Sequence, residues 1–168
     1  MDTVMISFDV SSTCTGYAKY INGELSTHGT FDFSKRKFDT DVRLKAMKNT
    51  ILNYLRLENP QIVVVEESAS KNNIKVQRML SEIIGVIEGY CILNNVDFVK
   101  YIPVQWRNLV KEQNEIVPKN TKPVKKWSIN KVNFLFKGVD VIDDNEADAI
   151  LVGLARIKEC DTLMKKCS

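Results

Sequence analysis

Met5-Ile6-Ser7-Phe8-Asp9-Val10-Ser11-Ser12-Thr13-Cys14-Thr15-Gly16 occupies residues 5–16. Val4, Ile6 and Phe8 are apolar, and the run ends on a carboxylate where small and hydroxyl residues begin. That pattern predicts a buried strand carrying Asp9 to its exposed carboxyl end. Ser11, Ser12, Thr13 and Gly16 then predict a turn into a second strand, Tyr17–Ile21. A carboxylate at the end of a central strand is poorly solvated and needs hydrogen-bond donors or a cation.

Asn22-Gly23 between alternating segments signals a two-residue hairpin, so the first three strands, ending with Glu24–Phe33, should form an antiparallel meander. Asp39–Leu57 reads as a helix with Leu44, Met47, Ile51 and Leu55 on one face, stopped by Asn59-Pro60. Ile62-Val63-Val64-Val65 is apolar on both faces and too short for a helix, which makes it a central parallel strand. It ends on Glu66-Glu67, a second carboxylate at the end of a buried strand, in a strand expected to neighbour the first. A long helix follows over Ile74–Asn94, in which Gly85 and Gly89 would admit a close backbone. Helix-on-sheet packing and a dimer contact both explain that pair. Val96–Ile102 gives another strand, and Pro103-Val104-Gln105-Trp106-Arg107 opens a short helix.

Lys111–Pro123, with two prolines, reads as a loop, and Val124–Phe136 as a helix whose Trp127, Ile129, Val132, Leu135 and Phe136 are mainly core. The last helix begins at Asp143-Asp144-Asn145-Glu146-Ala147-Asp148. Asp143 and Glu146 are explained equally well as capping and first-turn acids. Asp148 lies past the first turn, flanked by Ala147, Ala149 and Ile150, and shares a face with Asp144.

With 168 residues, 44% hydrophobic and 27% charged, the chain is expected to be one domain over residues 1–160 with a C-terminal tail, 161–168. No apolar run suits a membrane span and no secretory signal is visible. Cys14, Cys91, Cys160 and Cys167 are scattered, which disfavours zinc or a disulfide framework and fits a reducing cytoplasm. The lone His28 is expected to be structural. Arg107 to Lys137 holds eight basic and two acidic residues, a net +6 that leaves −3 for the rest of a chain of net +3. A basic block beside an acidic site suits a polyanion held against a carboxylate–metal centre.

Acids from two strand ends and one helix, without Cys or His, form a donor set for one or two Mg²⁺ ions. Such ions activate water and stabilise the leaving oxygen of a phosphodiester. In order of elements and acids the chain resembles the RNase H-like nuclease fold, and within it the RuvC-type Holliday junction resolvases. The match is carried by Phe8-Asp9-Val10-Ser11-Ser12-Thr13 with Gly16, by Val64-Val65-Glu66-Glu67-Ser68 leading to Lys71-Asn72-Asn73, and by Glu146-Ala147-Asp148-Ala149-Ile150. The resemblance implies an α/β architecture with a mixed five-stranded sheet, an antiparallel meander then parallel strands, flanked by helices. It implies a homodimer that nicks branched DNA, four-way junctions and forks, with Mg²⁺ or Mn²⁺ as its substitute. Asp9, Glu66 and Asp148, with Asp144 as a stand-in, would be catalytic metal ligands. Lys125 and Lys126 would contact phosphate, with Lys119, Lys122, Arg107 and Gln105 as weaker candidates. Small size and a Lys/Asn-rich composition suggest a phage-encoded member acting in the host cytoplasm.

Two departures stand out. Asn145 occupies the position where the family usually has a fourth acid, which lowers the expected cation affinity; an Asp→Asn change that silences the enzyme would look the same. Ser68-Ala69-Ser70 offers none of the bulky residues that bacterial members place there, so forks, flaps and other branched DNA stand open as substrates. An RNA-processing nuclease of the same fold and a non-cleaving branched-DNA-binding module are the alternatives. Asp9 to Gly16 also resembles the first phosphate loop of actin-like ATPases and sugar kinases, but those folds need a second such domain.

Overall fold

The computed structural model describes residues 2–35, 37, 39–67, 73–119 and 121–167. Ser68, Ala69, Ser70, Lys71 and Asn72, which carried part of the resemblance, lie outside the described residues. Five strands form one sheet: β1 (Val4–Asp9), β2 (Cys14–Ile21), β3 (Glu24–Asp32), β4 (Ile62–Glu66) and β5 (Asp97–Tyr101), in the order β3-β2-β1-β4-β5. The first three are antiparallel and β1–β4 is parallel, as the sequence patterns predict, and β4–β5 is parallel, as the resemblance implies. Asn22 and Gly23 close the hairpin with φ of 53° and 86°, the left-handed region that a tight two-residue loop demands.

Strand periodicity divides the core. Ile6, Phe8, Val63 and Val65 face one side, where α1 (Thr40–Glu58) packs through Met47, Ile51 and Leu55 and α2 (Ile74–Leu93) through Ile83 and Ile87. Met5 and Val64 face the other side, against α3 (Pro103–Val110), α4 (Thr121–Leu135) and α5 (Asp144–Cys167). Since alternate residues share a face, Asp9 and Glu66 belong to the α5 side. Asn73 caps α2, accepting from the backbone N–H of Lys75 and Val76 at 3.1 and 3.2 Å.

Several boundaries differ from the sequence expectation. β2 starts at Cys14 rather than Tyr17, because the turn is closed early by Ser11 and Thr15: Ser11 N–H donates to Thr15 Oγ1 at 3.0 Å and that hydroxyl donates to the Ser11 carbonyl at 2.7 Å. α4 begins at Thr121, so Pro123 sits in its first turn, where a missing N–H leaves no bond unmade. α5 reaches Cys167, with residues 161–165 exposed. Among the described residues nothing lies within 4 Å of a Cβ added at Gly85 or Gly89, so helix-on-sheet packing does not account for them. Among the described residues, no helix is long and apolar enough to cross a membrane.

Candidate active site

One transverse row crosses the sheet at the carboxyl end of β1: Thr30, Gly16, Asp9, Glu66 and Tyr101 are successive Cα partners. Asp9 and Glu66 therefore stand side by side. α5 brings Asp148 over them, and its seat is built from the strands below. Ser7 Oγ donates to the Ala149 carbonyl and Tyr20 Oη to the Ile150 carbonyl, each at 2.7 Å. Gly16 makes room for the start of the helix, since a Cβ there would lie 1.9 Å from the Asn145 carbonyl oxygen. Asp143 Oδ1 caps the helix, accepting from the N–H of Asn145 at 2.9 Å and of Glu146 at 3.1 Å.

Burial pushes the Asp9 carboxyl well above the usual range, and the charges of Glu66, Asp148 and Asp144 add to it against the pull of Arg107. Burial and then Asp148 raise Glu66 to about 7. Asp148 is pushed up to about 6 by burial, opposed by Ser128 and Arg107. These acids share one desolvated cleft and repel each other. The Asp148 Oδ1 and Arg107 Nε atoms are buried without a hydrogen-bond partner. Among the described residues, no three His, Cys, Asp or Glu side chains stand close enough together to hold a metal ion.

Two cations border the acids. Arg107 Nη2 lies 3.9 Å from Asp148 Oδ2, and Lys125 Nζ lies 2.6 Å from Asp144 Oδ2. Asp144 is thus at the rim, engaged with Lys125. Lys119, Lys122 and Lys126 are exposed on the α4 side of the molecule. Gln105 Oε1 instead accepts from the Ile102 N–H at 3.0 Å, as a cap for α3. Lys131, part of the basic block in sequence, is buried: its Nζ reaches Glu115 Oε2 at 2.7 Å and Glu112 Oε1 at 3.5 Å. His28, placed by β3, bonds Glu146 Oε1 through Nδ1 at 2.7 Å.

Sequence reasoning missed Trp106, whose indole N–H donates to Glu66 Oε2 at 2.6 Å, and Ser128, buried beside Asp148. Neither carries a charge or sits in a recognisable spacing. A buried indole between two polar residues was the sole hint, since such an N–H needs an acceptor.

No family model matches the chain. It is 26% identical over 158 residues to the crossover junction endodeoxyribonuclease RuvC of Brachyspira hyodysenteriae, covering 90% of this chain and 92% of that protein. Its fold is similar to T. thermophilus RuvC in complex with a Holliday junction substrate, with a TM-score of 0.73 at 14% identity, covering 95% of this chain and 96% of the other. It is also similar to the yeast mitochondrial Holliday junction resolvase Ydc2, with a TM-score of 0.55 at 14% identity over 92% and 78% of the two chains. In sequence the chain is thus similar to a RuvC Holliday junction resolvase, and its architecture is the RNase H-like fold that the RuvC structures share.

Proposed function

We propose that the chain is a metal-dependent, structure-selective DNA endonuclease that cuts four-way junctions, and forks or other branched DNA, by water attack on a phosphodiester. The observation that carries this reading is the pairing of Asp9 with Glu66 across two parallel strands, with Asp148 delivered above them by α5. Three desolvated acids that resist ionisation are stabilised by a cation. The all-oxygen donor set suits a hard divalent ion, and the partnerless Asp148 Oδ1 fits it as a ready ligand.

Asp9, Glu66 and Asp148 would hold Mg²⁺, or Mn²⁺ in its place, with Asp144 contributing from the rim. When bound, the ion supplies an acidified water and charge stabilisation for the phosphodiester. The remaining work belongs to the chain. Arg107 and Lys125, poised at the edge of the acids, would meet the phosphate through charge-assisted hydrogen bonds. Lys119, Lys122 and Lys126 would follow the backbone away from the cut without reading sequence. Asn145 brings no charge, and its amide donates to Asp143 Oδ1 at 3.3 Å, so it belongs to the cap rather than to the acids.

A homodimer fits paired nicks in a four-way junction. The face of α2 at Gly85 and Gly89 is the surface we assign to it, because among the described residues nothing lies within 4 Å of a Cβ added at either glycine. Sedimentation should show a dimer, and Gly85→Leu should yield a folded monomer. The phage-encoded reading, with action in the host cytoplasm, rests on size and composition.

The experiment is cleavage of a synthetic four-way junction against duplex, fork and RNA, with Mg²⁺, Mn²⁺ or chelator. Paired, cation-dependent nicks in the junction are expected. Tight junction binding without nicks, even with Asn145→Asp, would replace the nuclease with a binding module. Preferential cutting of RNA would favour an RNA-processing nuclease.

A further inference from the structure

The reaction proposed above draws on oxygen ligands and phosphate-binding cations, and it assigns nothing to a tryptophan. Yet Trp106 is fully buried at the acid cluster with its indole N–H on Glu66 Oε2 at 2.6 Å. An indole has one donor and no acceptor, so it neither ligates a cation nor takes up a proton. What it does is hold an acceptor in place.

The surroundings immobilise the ring. α3 starts two residues beyond Tyr101, the Cα partner of Glu66, so a short connection delivers Trp106 beside that carboxylate. Trp127 packs against it at 6.3 Å between ring centroids, and the Arg107 guanidinium lies over its face at 4.7 Å. Glu66 is a long acid whose carboxylate would otherwise sample several rotamers. A locked N–H on one oxygen leaves the other for coordination and removes that freedom before a ligand arrives.

We propose that Trp106 is a positioning residue for the cation site: its indole N–H holds Glu66 Oε2 and thereby presents Oε1 to a divalent cation. This rests on Asp9, Glu66 and Asp148 being the cation's ligands.

The test is Mn²⁺ binding by titration calorimetry, with no DNA present, in the parental protein and in Trp106→Phe, which keeps an aromatic ring and deletes the donor. Trp106→Phe should bind about tenfold more weakly, the lower end for losing an outer-shell partner. Its junction cleavage should recover as Mn²⁺ is raised, which a packing defect would not allow. Should that variant not fold, Trp127→Phe carries the test, since Trp106 is then the sole tryptophan of the chain's two. Its emission should shift saturably with Mg²⁺ and cease to do so when Glu66→Gln is added. A folded Trp106→Phe that binds Mn²⁺ as tightly as the parent overturns the proposal, as does Trp106 emission indifferent to Mg²⁺. A parental protein that binds no cation overturns the site assignment and the proposal together.

Discussion

Asp9, Glu66 and Asp148 bring like charges into one desolvated cleft, and each resists ionisation for that reason. Asp9→Asn removes one of the repelling charges while keeping the shape. It should abolish cleavage, raise the melting temperature in chelator, and leave DNA binding intact or tighter. A variant that does not fold would sink the assignment of Asp9 to a cation site. The same shifts set a pH dependence. Glu66 rises from 4.5 to about 7 and Asp148 from 3.8 to about 6 on folding. Their protonated forms favour the folded state, so that stabilisation is full below about pH 4 and is lost as pH climbs through 6 to 7. Thermal melts in chelator should show stability falling across that window, with a shallower fall in Glu66→Gln. A divalent cation should raise the melting temperature more at pH 8 than at pH 5, and equal shifts at both would contradict the assignment.

Among the elements, α5 is the one whose placement makes the site, and it is seated on β1 and β2 through Ser7, Tyr20 and Gly16. An added methyl at Gly16 meets backbone, not a side chain that can turn away. Gly16→Ala should therefore destabilise by about 1–3 kcal/mol, the cost of forcing extra volume into packed structure. It should also impair cleavage more than Gly23→Ala, whose Cβ meets nothing within 4 Å, although positive φ gives that variant a strain of its own. Denaturant melts with cleavage assays separate the two. At this scale most elements were legible in the sequence, because apolar periods of two and near four reveal which face is buried. The misplacements were local. Hydroxyl residues at 11–15 looked like a long turn but tie a short one, and Pro123 looked like a break where a first helical turn tolerates it.

For the whole molecule, the basic segment divides once the chain folds. Lys125 and Lys126 lie on the exposed side of α4, whereas Lys131 is turned inward to Glu112 and Glu115. Replacing Lys125 and Lys126 with Ala should weaken binding to every DNA form and reduce the salt slope by roughly 0.9 for each phosphate that is no longer neutralised. Lys131→Ala should leave that slope unchanged and instead cost about 2 kcal/mol of stability, as expected on losing hydrogen bonds between charged groups. A changed slope in Lys131→Ala would mean the residue faces DNA. The sequence by itself determined the sheet, its mixed topology and the acids at two strand ends, since strand periodicity and the sharp end of an apolar run are local signals. Only the tertiary structure decided that Asp9 and Glu66 share one row, that Asp144 stands at the rim with Lys125, and that Trp106 rather than a charged residue bonds Glu66. Those outcomes depend on strand register and helix seating, which arise from packing between residues far apart in the chain and leave no local pattern to read.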